Sequence, residues 1–264
     1  DVDNFTFESM DADYTLTRGE DGTSQLRVVE TFVADFPEID QNRGMRRLIP
    51  TRYNGQPLNI ELVSVTDENG NPRDIETDTD DGVWALTTRE DDYVHGQNTY
   101  VIIYDVENVT WNFPDTGLEF YWNVNGVDWL QPFGTVTARL HVDAHIADAM
   151  TGDMDCAVGA FGATDACEIT TAASGDGGAT ITASTTDLAP NETMSIAVGF
   201  EPETFTVFDT SYLASGWGWA QGLAGVGLLG AVGGAVAVRR RTLRDEPGDG
   251  LVIAQYEPPE GIDA

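Results

Sequence analysis

The chain has 264 residues, of which 45 are acidic and 13 basic, so its formal net charge is −32. Hydrophobic residues make up 41% of it, which argues against disorder. The charge also argues against nucleic-acid binding, because a phosphate backbone repels carboxylates. The absence of lysine and the excess of carboxylates predict a halophilic source, because a dense acidic surface stays hydrated in concentrated salt.

The first predicted unit, residues 1–208, consists of short strands separated by turn signals. Asn54-Gly55, Asn69-Gly70 and Asn125-Gly126 are typical of turns. Alternating apolar residues predict strands over 24–36, 58–66, 83–88, 99–106, 135–142, 179–185 and 194–200. We therefore predict a mainly β fold, an extracellular antiparallel β-sandwich, either as one large sandwich or as two packed ones divided near 143–150.

The cysteine pair and three glycosylation triplets fit an extracellular domain. Cys156 and Cys167 lie in a glycine-rich stretch, and outside the cell we expect them to form a disulfide. A metal site is the alternative, but no histidine lies near them. Asn4, Asn108 and Asn191 each begin an Asn-X-Thr triplet and are candidate glycosylation sites.

A search of this domain for chemistry predicts no catalytic, cofactor-binding or metal-binding residue. It contains no HExxH, GxSxG or phosphate-binding glycine motif. The acidic stretches 67–74 and 76–82 carry oxygen ligands of the kind that calcium prefers. They are equally typical of a solvated acidic surface, so calcium stays an open alternative.

A basic cluster is the local exception to the acidic composition. The segment 42–52 holds four of the nine arginines of the outer domain, Arg43, Arg46, Arg47 and Arg52. Such side chains either pair with carboxylates inside the protein or face an anionic partner. Both interpretations remain open from the sequence.

The second predicted unit, residues 209–238, is a juxtamembrane and transmembrane helix that contacts lipid. Residues 213–238 contain no charged side chain, and a helix of that length covers a hydrocarbon core of about 30 Å. Arg239, Arg240, Arg241 and Arg244 follow the span, which predicts a cytoplasmic segment 239–264 and an N-terminal domain outside the cell. Tyr212, Trp217 and Trp219 suit the outer headgroup region. We expect a signal peptide to have been removed.

Small residues recur along this helix at the spacing that lets helices pack closely. This stripe predicts a partner transmembrane helix or a homo-oligomer, and a lipid-facing helix is the alternative. The glycines concerned are Gly218, Gly222, Gly227, Gly230 and Gly234.

Several segments resemble the YciQ-like family of predicted membrane proteins, in a haloarchaeal-type member. They are NRGMRRLIP at 42–50, LEFYWNVNGVDWLQPF at 118–133 and LVIAQYEPPEGIDA at 251–264. The resemblance implies an extracytoplasmic β domain of unknown function, a transmembrane helix and a cytoplasmic continuation. It also implies further hydrophobic segments after Ala264, and it supplies no reaction and no catalytic residues.

Three functional hypotheses follow. The first is a non-enzymatic surface protein that binds a partner, such as another envelope protein. The second is a subunit of a membrane complex that packs through its glycine-rich helix. The third is an ectoenzyme that acts on envelope glycans with paired carboxylates.

Overall fold

The structure, a computed structural model, describes residues 2–211 and 216–242. The chain divides into two compact units, Asp1–Asp209 and Thr210–Ala264. The first unit is a β domain and the second contains a single described helix. This confirms the predicted fold class of a mainly β domain followed by one apolar helix.

The β domain contains 17 strands and one short helix. The helix α1 is Ala144–Asp148, and Asp143 caps it by accepting a hydrogen bond from the backbone N–H of Ile146. The strands are β1 (Thr6–Arg18), β2 (Ser24–Phe36), β3 (Arg46–Pro50), β4 (Arg52–Tyr53), β5 (Gln56–Pro57), β6 (Glu61–Thr66), β7 (Ile75–Asp80), β8 (Val83–Thr88), β9 (Gly96–Glu107), β10 (Thr110–Phe113), β11 (Gly117–Asn123), β12 (Phe133–Val142), β13 (Met150–Ala160), β14 (Asp165–Ala166), β15 (Glu168–Ala173), β16 (Ala179–Leu188) and β17 (Glu192–Phe200).

These strands form four sheets. The largest has the order β15-β16-β12-β1-β2-β9-β6, and the second has the order β10-β11-β17-β13-β14. A three-stranded sheet has the order β3-β8-β7, and β4 pairs with β5. All named pairs are antiparallel except β1 with β12, which run parallel. The predicted antiparallel arrangement therefore holds for every named pair but one, and the parallel pair lies at the centre of the largest sheet.

The core lies between the two larger sheets. On β2 every second residue is buried, as expected for a strand with one face on a core. Tyr14 of the first sheet meets Phe120 and Trp122 of the second at centroid distances of 6.5 and 6.4 Å. Trp84 of the three-stranded sheet packs near Tyr104 of β9, with a centroid distance of 6.4 Å. One continuous hydrophobic core therefore joins residues on both sides of segment 143–150.

The described helix of the second unit is α2 (Gly216–Thr242), which has 27 residues and spans about 40 Å. Its segment Trp219–Thr242 has a mean hydropathy of 1.6, and among the described residues it is the one helix long and apolar enough to cross a membrane. Arg239, Arg240 and Arg241 form its last turn, where cations suit the helix dipole. The helix therefore continues past Val238, where the uncharged segment ends.

Candidate functional site

A groove of about 600 Å³ opens at one end of the β domain. We call it the arginine groove. Its rim carries Arg43, Arg46 and Arg89, and its floor includes Met45 and Trp129, which are buried. Val2, Tyr93 and Leu130 add exposed apolar surface at its edge. The groove thus combines guanidinium groups with an apolar lining.

Strand alternation and strand pairing place Arg46 and Arg89 at the groove. Side chains alternate between the two faces of a strand. On β3, Arg47 and Ile49 are buried, so Arg46, the first residue of the strand, is directed to the exposed face. Arg46 lies opposite Thr87 of β8, two residues before Arg89, so the ladder brings both arginines to the same region. Sequence separation hides this neighbourhood, because Arg89 is remote from the 42–52 cluster.

The third arginine is held by the backbone. The guanidinium of Arg43 donates to the carbonyl oxygens of Glu90 and Asp91 and lies 4.5 Å from the ring centroid of Tyr93. Gly44 follows with φ of +144°, and a Cβ at this position would collide with the carbonyl oxygen of Thr88. Glycine therefore allows the loop to approach the end of β8 closely.

Arg47, unlike the three arginines of the groove, points into the core. Arg47 makes a bidentate pair with Glu30, with Nη2–Oε1 at 2.7 Å and Nε–Oε2 at 2.9 Å. The Tyr104 hydroxyl donates to the same carboxylate at 2.9 Å. Burial alone would lower the pKa of Arg47, but the neighbouring Glu30 raises it overall, so the guanidinium stays charged. Burial, followed by the charge of Glu30, raises the pKa of Tyr104.

Arg47 also fixes the groove floor. Its Nη1 donates to the carbonyl oxygen of Asn125 at 2.9 Å, and the indole N–H of Trp129 donates to that same oxygen. Asn125 in turn accepts from the backbone N–H of Met194 at 2.9 Å. The buried pair therefore holds the turn that places Trp129 beneath the arginines.

The nine arginines of the β domain fall into two groups. Four pair with carboxylates, namely Arg27, Arg47, Arg73 and Arg139. Within residues 2–211, the other five have no carboxylate oxygen within 4.0 Å, and they are Arg18, Arg43, Arg46, Arg52 and Arg89. Three of these five line the arginine groove. Arg52 lies elsewhere, where it donates to the carbonyl oxygen of Gly55.

The groove lies at the opposite end of the domain from the segment that leads into the second unit. Phe5, which lines the groove, precedes β1, whereas Gly22 lies in the turn that follows β1. The Thr206 N–H donates to the Gly22 carbonyl oxygen at 2.8 Å. A strand of 13 residues spans about 40 Å, which is the separation of the two ends.

The remaining predicted positions in the β domain are the two cysteines and the three asparagines of the glycosylation triplets. Cys156 and Cys167 form a disulfide at the base of the β13–β14 hairpin. Asn4 and Asn191 are exposed. Asn108 is buried, and its Nδ2 donates to the Pro57 carbonyl oxygen, so its amide is engaged in the fold.

The helix glycines and the acidic stretches have plain structural settings. Gly218 lies within α2, and Cβ atoms at Gly222, Gly227, Gly230 and Gly234 would meet open space. Residues 76–80 form part of β7. The Asp67 carboxylate accepts from the side-chain amide and the backbone N–H of Asn71 and from the backbone N–H of Asn69, which lowers the pKa of Asp67. No group of three or more metal-ligating side chains occurs among the described residues. Tyr212, Arg244 and segment 251–264 lie outside them.

Comparison with protein families identifies the β domain. The family described as predicted membrane protein (DUF2207), N-terminal domain, matches residues 6–200. The chain belongs to this family. The resemblance to predicted membrane proteins is thereby confirmed, and the DUF2207 match covers the strands from β1 to β17.

Solved structures match the chain at low sequence identity. A mutant M1 zinc metallopeptidase from Deinococcus radiodurans matches with 13% identity and a TM-score of 0.45, over 73% of this chain and 42% of that one. Native leukotriene A4 hydrolase from Saccharomyces cerevisiae matches with 10% identity and a TM-score of 0.44, over 74% and 29%.

A putative protease from Parabacteroides distasonis matches with 9% identity and a TM-score of 0.43, over 76% and 41%. This chain thus spans less than half the length of these proteins. The sequence identities and TM-scores are too low to carry an argument about activity. No curated protein matches the chain.

Proposed function

We propose that this DUF2207 protein is a membrane-anchored surface protein whose β domain binds an acidic partner protein through the arginine groove. The proposed role is binding and not catalysis. One observation carries it: three arginines without a carboxylate partner line one groove in a chain with a net charge of −32.

The absence of carboxylate partners for the groove arginines supports binding, because carboxylates are abundant in this chain. The chain has 45 acidic residues, and four arginines of the domain do pair with them. Arg46 and Arg89, which have no such pair, keep their planar donors available for an external carboxylate, and Arg43 keeps the donors other than Nη1, which the Glu90 and Asp91 carbonyl oxygens use. The apolar floor beneath them adds surface that a bound side chain would remove from water.

The setting of the groove fits presentation to a partner. The arginines after the apolar helix favour a cytoplasmic C-terminal side, and so an outer β domain. The groove occupies the end of that domain remote from Thr206, which precedes the helix. An acidic surface around the groove fits a halophilic environment, in which salt screens the remaining repulsion between two acidic proteins.

The test compares two triple variants of the full chain in neutral detergent. Arg43→Gln, Arg46→Gln and Arg89→Gln together remove the groove charges. Binding to immobilised poly-L-glutamate should weaken by at least about tenfold, because hydrogen bonds between charged groups are lost. The measurement is made in about 1 M salt, where the Debye length of roughly 3 Å suppresses long-range repulsion.

The matched control is Arg18→Gln, Arg52→Gln and Arg139→Gln, which lowers the net charge equally outside the groove. We expect this control to bind poly-L-glutamate as tightly as the unmodified chain does. Neither the control nor the unmodified chain should bind poly-L-glutamine. Equal weakening in both triple variants would show that net charge alone governs binding and would overturn the proposal.

A further inference from the structure

The arginine groove already holds a peptide, which is the chain's own segment Val2–Phe5. Three side-chain amides donate to three successive carbonyl oxygens of this segment. Asn42 Nδ2 donates to Val2 at 2.7 Å, Gln131 Nε2 to Asp3 at 2.9 Å, and Gln41 Nε2 to Asn4 at 3.2 Å. Asn42 and Gln131 are each 5% exposed. These donors are therefore built into the walls of the groove.

The donors come from two facing loops. Gln41 and Asn42 precede β3, and Gln131 precedes β12, so the segment lies between them. Phe5 anchors its end, with ring centroids 5.3 Å from Phe7 and 4.7 Å from Phe36. The contacts from the loops go to the backbone, so they do not depend on the side chains at positions 2–4.

The composition of the segment matches the groove. It contains the acidic Asp3 and ends at the aromatic Phe5, and Val2, Asp3 and Phe5 line the cavity together with the three arginines. The wall also offers an unused acceptor. Asn42 Oδ1 is buried and has no hydrogen-bond partner in the described part of the chain. Side-chain amides that donate to a peptide backbone, arginines and a spare acceptor are together the chemistry of a site for an acidic peptide.

We infer that Val2–Phe5 is a displaceable strap that occupies part of the peptide site, and that the partner contributes an acidic peptide segment with an aromatic residue that replaces it. This inference rests on the proposed function and specifies its ligand class and its regulation. Displacement costs the strap its three amide contacts, which the entering backbone restores.

The first test uses the synthetic peptide Asp-Val-Asp-Asn-Phe, which reproduces residues 1–5. A variant of the chain that lacks residues 1–5 removes the whole strap, including Phe5, and opens the site. It should bind the labelled peptide at least about tenfold more tightly than the unmodified chain, because no strap competes. Adding Arg43→Gln, Arg46→Gln and Arg89→Gln to this variant should abolish the gain.

Control ligands separate charge from backbone recognition. The peptide Asn-Val-Asn-Asn-Phe keeps the backbone but lacks the carboxylates, and its binding should be at least about tenfold weaker. Polyglucuronate keeps the negative charge but has no peptide carbonyl oxygens for the three amide donors. Binding of polyglucuronate as tight as that of the parent peptide would overturn the peptide assignment, while groove-dependent binding of poly-L-glutamate would leave the proposed function standing.

A second measurement keeps the whole chain and does not depend on how the deletion variant folds. Val2→Cys introduces a thiol at a position that is 59% exposed, while Cys156 and Cys167 are held in their disulfide. A spin label there should become mobile when saturating acidic peptide is added. A label that keeps its mobility at saturation, with poly-L-glutamate still bound through the groove, would overturn the strap and not the binding function.

Discussion

At the scale of residues, the pair formed by Glu30 and Arg47 links the core to the candidate site. Both side chains are almost fully buried, at 0% and 4% exposure. Removing one partner would leave an uncompensated charge in a medium of low polarity, which is much more costly than losing an exposed pair. The same guanidinium holds the Asn125 carbonyl oxygen, so its loss would also loosen the turn that carries Trp129.

We therefore predict that Arg47→Met lowers the free energy of unfolding of the domain by about 3–5 kcal/mol. Chemical denaturation of the full chain, followed by tryptophan fluorescence, measures this. The control is Arg27→Met, whose pair with Asp105 is 52% and 37% exposed and should contribute at most about 1 kcal/mol. Equal losses in the two variants would contradict a structural role for the buried pair.

At the scale of elements, the β13–β14 hairpin is closed by its disulfide. Cys156 is buried in the core, whereas Phe161 at the turn is 83% exposed. The strand β13 pairs with β17 over most of its length, but β14 contributes only Asp165 and Ala166. The cross-link therefore holds an arm that has few ladder hydrogen bonds of its own.

Replacing both cysteines by serine should lower the free energy of unfolding by about 3 kcal/mol, as expected for a loop of this length.

In chain freshly extracted from native membranes, a maleimide probe should label neither cysteine until a reductant is added, because an outer domain folds in an oxidising compartment. Immediate labelling of two thiols would instead place the domain in a reducing compartment and contradict the proposed topology.

The three-stranded sheet shows how acidic residues protect an edge. In β7, Glu76, Asp78 and Asp80 are exposed and lie opposite Thr87, Ala85 and Val83 of β8. They therefore share the outer face of the sheet. Charges on an edge strand discourage pairing with another chain. This gives the run 76–80 a structural role that needs no bound cation.

At the scale of the whole molecule, the net charge of −32 opposes folding through self-repulsion. Salt reduces this repulsion, because the Debye length falls from about 10 Å at 0.1 M to roughly 3 Å at 1 M. The pair of Arg47 with Glu30 is shielded from solvent and should be weakened much less by salt than the surface repulsion.

We expect the melting temperature of the full chain to rise by about 5 °C or more between 0.1 and 1 M potassium chloride, which corresponds to about 2 kcal/mol for a domain of this size. Calorimetry in neutral detergent measures it. An uncharged osmolyte at equal osmolarity is the control. A melting temperature that stays constant in salt would contradict repulsion as the dominant surface effect.

Local periodicity accounts for the part of the fold that the sequence predicts. The strand predicted over 24–36 has those same bounds in the structure, because its apolar residues alternate without interruption. Two long strands, β1 and β13, were not among the predicted strands. In β13 a register shift between Met150 and Met154 changes the phase of the alternation. In β1 the register shift between Phe7 and Ser9 affects only the start of the strand, and Met10, Ala12, Tyr14 and Leu16 alternate regularly after it.

The sequence by itself determined the apolar helix, the excess of acidic residues and the β class, because these follow from composition and from periods of a few residues. Only the tertiary structure decided which of the clustered arginines is buried and which line the groove. It turned Arg47 inward to Glu30 and brought Arg43 and Arg46 to Arg89 above Trp129. These neighbours are set by strand pairing over long separations, and side chains one residue apart on a strand face opposite sides of the sheet.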